Sequence, residues 1–223
     1  MILTFFNYKE GCGKSTLTLL VAKALSELFF RTNDQAKVYI FDTACSVKNS
    51  LFAKKSNETK EEFINDNKQL LFIEYASNLE NFETQKKELN IKEDDIIFFD
   101  LQEFGENQLD FIANSDYVFI VSDNPNELES FDREMYAIIN KLTDSVLGSN
   151  IKKIFLTQNR VSKKEHIIPE FEDINYIEGL GILPESYQIE NIKIYQTSLA
   201  KPIQQFAIEI WKAVNNQEKQ III

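Results

Sequence analysis

The stretch Ile2-Leu3-Thr4-Phe5-Phe6-Asn7-Tyr8-Lys9-Glu10-Gly11-Cys12-Gly13-Lys14-Ser15-Thr16 decides the fold. Its first five residues form a short, mainly apolar run that suits a buried strand. The loop that follows holds two of the chain's six glycines. Beyond it, Leu17, Leu20, Val21, Ala24, Leu25 and Leu28 recur at helical spacing. A strand, a glycine-bearing loop and a helix in this order suit a polyanion. Glycine lets the backbone approach closely, and a helix N-terminus presents N–H groups to negative charge. Lys14 would then offset the outer phosphates of a nucleotide, and the Ser15 hydroxyl would ligate Mg²⁺. The alternative is a plain strand-to-helix turn.

Outward from this loop the same alternation continues. Apolar runs at Lys37–Asp42, Leu70–Tyr75, Asp95–Leu101, Asp116–Ser122, Lys152–Gln158 and a shorter Gly179–Leu183 are nearly continuous in Ile, Phe, Val and Leu. Such runs predict strands covered on both faces, as in a parallel sheet. Helical patterns are predicted through Leu128, Phe131, Met135, Ile138, Ile139 and Leu142, and in a last helix starting near Pro202. The polar stretch Lys54–Lys68 reads as an excursion. The expectation is α/β: one doubly wound domain over residues 1–223, its sheet mostly parallel with helices on both faces. A length of 223 residues with 43% hydrophobic content supports one such core.

Tyr8 stands where the ordinary phosphate loop, G-x-x-x-x-G-K-[ST], has its first glycine, and an additional lysine, Lys9, lies five residues before Lys14. The loop therefore resembles the deviant form K-G-G-x-G-K-[ST] of the ParA/MinD family of ATPases. That resemblance implies a doubly wound P-loop domain that binds ATP with Mg²⁺ and closes into a homodimer around it. Lys9 would be the signature lysine that reaches the partner's phosphates, and Glu10, Gly11, Cys12, Gly13, Lys14, Ser15 and Thr16 would form the cradle. Asn7 sits where many members have asparagine, whereas Glu10 departs from the family's first glycine.

Further motifs extend the likeness. Phe41-Asp42-Thr43-Ala44 stands where the family shows D-x-D, so Asp42 matches the first aspartate and Ala44 replaces the second. In the family that second aspartate helps position the attacking water, so the resemblance implies hydrolysis that is slow, partner-dependent or absent, since phosphoryl transfer relies on positioning and charge stabilisation. Ile96-Ile97-Phe98-Phe99-Asp100 is an apolar run closed by an acid. Asp100 is expected to hold Mg²⁺ directly or through water, the alternative being a strand cap. Gln102 or Glu103 could substitute for the missing water-positioning group, or face solvent ahead of Gly105. By resemblance, Asn159, followed by Arg160 at the sixth strand's end, reads adenine, and Pro184 after the seventh strand forms a wall by the base. Asn159 also suits a turn.

A net charge of −11 opposes general binding to nucleic acid or anionic lipid. DNA contact would need a local patch. Lys152, Lys153, Arg160, Lys163 and Lys164, with Lys193 and Lys201, are the candidate, or else a solvated face. Two cysteines and one histidine, His166, give little support for disulfides, zinc or Ser–His–Asp chemistry. No apolar run reaches ~18 residues, no leader is evident, and the tail Asn215–Ile223 lacks the basic face of a membrane helix, so a cytoplasmic location without membrane binding is expected. The resemblance implies a ParA-like ATPase, acting as a dimeric switch in plasmid partition or cargo positioning and stimulated by a protein partner. Two alternatives stay open. One is a weakly or non-hydrolysing ATP-bound dimerisation module that recruits a partner, for instance in conjugative DNA transfer. The other is a metabolic ATP-dependent enzyme on the same scaffold.

Overall fold

The computed structural model describes residues 1–7, 11–32, 35–43, 71–101, 106–122, 150–161, 177–184 and 201–220. Seven strands are present: β1 (Ile2–Phe6), β2 (Val38–Asp42), β3 (Leu71–Tyr75), β4 (Ile96–Asp100), β5 (Tyr117–Ser122), β6 (Lys153–Val161) and β7 (Ile177–Pro184). Four helices accompany them: α1 (Lys14–Thr32), α2 (Leu79–Glu88), α3 (Glu106–Ala113) and α4 (Lys201–Gln220). The strands join in one sheet of order β3-β2-β4-β1-β5-β6-β7. Every neighbouring pair is parallel. The expected seven strands and doubly wound α/β architecture are thus observed. The helix expected around residues 128–142 and the polar stretch 54–68 lie outside the described residues.

Alternation along each strand separates two cores. Leu3, Phe5, Val38, Ile40, Ile96, Phe98, Tyr117, Phe119 and Phe155 pack with α1 and α4. Phe6, Tyr39, Phe41, Ile97, Phe99, Val118, Ile120 and Ile154 pack with α2 and α3 through Phe82, Phe111 and Ile112. A period of two, with both faces covered, explains why the strand runs read as continuously apolar. Aromatic rings bridge neighbouring strands on the first face, Phe5 lying 5.1 Å from Phe119, which lies 5.1 Å from Phe155. On the second face Phe82 packs edge-on against both Phe41 and Phe99 at 4.9 Å. Each fully buried ring contributes on the order of 1.5–3 kcal/mol of transfer free energy. The helix α4 is fixed to α1 by Phe29 against Trp211 at 4.9 Å, and to the sheet by the Tyr117 hydroxyl donating to the Val214 carbonyl at 3.2 Å.

Two strands run further than their apolar cores suggest. The sixth continues to Val161 and the seventh to Pro184. Asn159 and Arg160 therefore lie just before the end of β6, and Pro184 closes β7 instead of following it. Polar residues hide a strand end in the sequence, because hydrophobicity falls before the ladder stops.

Candidate functional site

Strand order concentrates chemistry at one place. From β1 the chain passes through α1 to β2, leaving a gap that β4 later fills; from β4 it crosses through α3 to β5 on the other side of β1. The carboxyl end of β1 is thus a topological switch point, where open α/β sheets place ligands. The loop between β1 and α1 lies there.

That loop has the backbone its glycines require. Gly11 has φ of 78° and Gly13 of 95°, values that L side chains rarely adopt. At Gly11 the constraint is the angle alone, since an added Cβ would meet nothing within 4 Å. Gly13 starts the helix, its carbonyl accepting from the Leu17 N–H at 2.9 Å. Residues in the first turn direct N–H groups that no intrahelical carbonyl can reach toward the loop. Glycines in left-handed conformation beside such amides form the concave nest that takes an anion. Cys12 is buried in the α1–α4 core, so it fills the loop from beneath. Lys14 is only 8% exposed, its Nζ 4.0 Å from Cys12 Sγ. Ser15 and Thr16 are half-buried in the first turn.

Two carboxylates end the neighbouring strands. Asp42 closes β2 and Asp100 closes β4, opposite each other in the parallel register. They are 3% and 0% exposed. Alternation assigns both to the α1–α4 face, since Phe41 and Phe99 before them belong to the other. Burying two adjacent carboxylates is costly unless cations or N–H groups compensate the charge. Among the described residues no group of three His, Cys, Asp or Glu could hold a metal alone. A cation here would take part of its shell from outside these acids. Carboxylate and hydroxyl oxygens are the donors a hard cation such as Mg²⁺ prefers, and the nest suits phosphate, so the residues fit both.

Around these acids lies a polar frame, of which the sequence had marked only Asn7. The Asn7 Nδ2 donates to the Val121 carbonyl at 2.5 Å, tying β1 to β5 just below the loop. The Thr43 N–H and hydroxyl donate to the Asp100 carbonyl at 3.1 and 2.9 Å. The hydroxyl also lies 3.1 Å from Oε1 of Gln108, on α3, whose Nε2 donates to the Thr43 carbonyl at 3.4 Å. Thr43 and Gln108 are 65 residues apart, and no local motif announces the pair.

Lys9 and Glu10 lie outside the described residues, as do Ala44, Gln102, Glu103, Gly105 and His166. The structure brings together the glycine loop, Lys14, Asp42 and Asp100. Asn159, Arg160 and Pro184 are located by backbone only, on β6 and β7, two and three strands from β1. Lys153 opens β6 and Arg160 nearly closes it, about 23 Å apart at the rise of a strand. Lys152 is instead paired with Asp116 at 3.2 Å. Lys163, Lys164 and Lys193 lie outside the described residues.

No protein-family model matches the sequence, and no curated protein does. Solved structures do match over nearly the full length. A Borrelia burgdorferi protein assigned to plasmid partition, bound to AMPPNP, has 19% identity and a TM-score of 0.59, covering 96% of this chain and 98% of its own. The MinC:MinD cell division complex of Aquifex aeolicus matches with 16% identity and a TM-score of 0.58 over 95% of each chain. The pNOB8 ParA bound to nonspecific DNA matches at 15% and 0.56, covering 96% and 98%. The resemblance read from the loop therefore extends through the sheet: this chain has the P-loop α/β fold of ParA- and MinD-like proteins.

Proposed function

We propose that this chain binds ATP with Mg²⁺ at the loop after β1 and works as a ParA-like ATPase, an ATP-dependent dimeric switch in DNA partition or cargo positioning. The observation that carries the reading is a buried lysine and two left-handed glycines at the switch point, beside two buried carboxylates in register. The solved structures of the same fold support it, one of them holding AMPPNP and another nonspecific DNA.

In this reading the loop amides and the Lys14 ammonium hold the β- and γ-phosphates, which lowers the repulsion an incoming nucleophile would meet. Mg²⁺, when bound, would supply positive charge that offsets the phosphates. The Ser15 hydroxyl and Asp100 would hold it, while Asp42 would add negative charge that favours the cation and would order nearby water. Lys9 reaches the nucleotide of a second copy. Asn159, Arg160 and Pro184 form the base side, with Asn159 offering both a donor and an acceptor.

Size measurement with ATP, ADP and no nucleotide tests this. ATP should convert monomer to dimer, and Lys9→Ala should weaken that conversion while leaving ATP binding intact. Lys14→Ala should lower nucleotide affinity on the order of 100-fold or more, because charge-assisted contacts to phosphate are lost. One elution position under all conditions would refute the switch.

Ala44 favours a second reading, a dimerisation module with little hydrolysis that recruits a protein partner. Phosphate release measured with and without DNA separates the two.

A further inference from the structure

Thr43 is the first residue past β2 and is held on three sides. Its N–H donates to the Asp100 carbonyl, its single hydroxyl proton lies between that carbonyl and Gln108 Oε1, and its carbonyl accepts from the Gln108 amide. Thr43 is 1% exposed and Gln108 4%, so water does not compete for these bonds. Period-two alternation explains the arrangement. Asp42 faces α1, so Thr43 must face α3, where the only polar side chain in contact with it among the described hydrogen bonds is Gln108. A strand end normally frays; here the Thr43 N–H closes the last parallel pair of β2 and β4, Asp42 with Asp100, and the Thr43 hydroxyl adds a side-chain contact to the same Asp100 carbonyl.

We infer that Thr43 and Gln108 are positioning residues: their buried clasp sets the spacing of the Asp42 and Asp100 carboxylates and so the strength with which a divalent cation is held beside the nucleotide. This rests on the nucleotide site proposed above. Neither residue touches phosphate or cation in this account. Their action runs through the backbone carbonyl of Asp100 and through α3, which leads into β5. A neutral buried hydrogen bond carries the size of effect needed to shift a coordination geometry without dismantling a sheet.

The experiment is calorimetric titration of AMPPNP into the full chain, once with excess Mg²⁺ and once in EDTA, for wild type, Thr43→Val, Thr43→Ser and Gln108→Met. The ratio of the two affinities reports the cation alone. Thr43→Val and Gln108→Met should shrink that ratio roughly five- to tenfold while leaving affinity in EDTA unchanged. Thr43→Ser, which keeps the hydroxyl, should behave as wild type. Gln108→Met leaves Thr43 its bonds to Asp100 and is the milder variant, readable even if Thr43→Val does not fold. An unchanged ratio in the folded variants overturns the inference, as does an equal loss in both titrations, which would mark the clasp as structural only. Failure of wild type to bind AMPPNP under either condition would instead overturn the nucleotide site itself.

Discussion

Aspartates stand at both edges of the same sheet and serve opposite ends. At the edge where strands begin, Asp95 accepts from the Lys37 N–H at 2.8 Å and the Lys92 N–H at 2.9 Å, and its carbonyl takes the N-terminal ammonium at 3.0 Å. Asp116 accepts from the Ile2 N–H at 2.7 Å and pairs with Lys152. Both carboxylates there stitch the entry points of neighbouring strands. At the edge where strands end, Asp42 and Asp100 stand side by side and buried, beside a glycine loop and a buried lysine. An acid that accepts from backbone N–H groups at strand starts ties the fold together, whereas two buried acids in register concentrate negative charge at one place. In the function proposed, the same residue type is structural at one edge and chemical at the other, because parallel strands align all their starts at one edge and all their ends at the other.

This contrast can be broken by substitution. The largest effect is expected from Asp95→Ala, which removes two charge-assisted backbone contacts and should cost about 2–4 kcal/mol in urea unfolding, with AMPPNP affinity unchanged in calorimetry. A loss of nucleotide binding without loss of stability would reverse the assignment of that edge. Asp100→Asn comes next. Affinity for AMPPNP in Mg²⁺ should fall about tenfold, whereas the melting temperature should hold or rise, since a buried charge beside Asp42 is removed. Destabilisation comparable to Asp95→Ala would erase the distinction between the edges. The smallest effect belongs to Lys152→Met. Its ammonium is 3.2 Å from Asp116, but the two side chains are 40% and 22% exposed, so water screens the pair and about 0.5 kcal/mol or less is expected. Thermal unfolding that shifts far more than this would make the outer pair part of the core frame.

Much of the fold was legible because apolar runs covered on both faces leave a strong local signal. All seven strands lie on runs of Ile, Phe, Val and Leu, and α1 and α4 announce themselves by helical spacing and, for α4, Pro202 in its first turn. The helices α2 and α3 are less visible. Only Phe82 of α2 is fully buried, with Leu79 partly buried one turn before it, so the apolar stripe within the polar sequence Leu79–Glu88 is two residues long. Its start is set instead by Asn78, whose side chain accepts from the Asn81 N–H at 2.8 Å. In α3, at eight residues, two turns give too little repeat for a period to stand out. Of the candidate site, the glycine loop, Lys14, Asp42 and Asp100 were readable from motif and strand position. Lys153 and Arg160 lie close in sequence, yet an extended strand sets them near its opposite ends.

By itself the sequence determined which segments are strands, that both faces of the sheet are covered, and that a glycine loop precedes the first helix. These follow from hydrophobic period and from the φ values only glycine tolerates, both of which are local properties. Tertiary structure alone decided the strand order, the register that sets Asp42 opposite Asp100, and the meeting of Thr43 with Gln108. Such contacts join residues more than fifty positions apart, and their geometry depends on how whole strands and helices pack against each other.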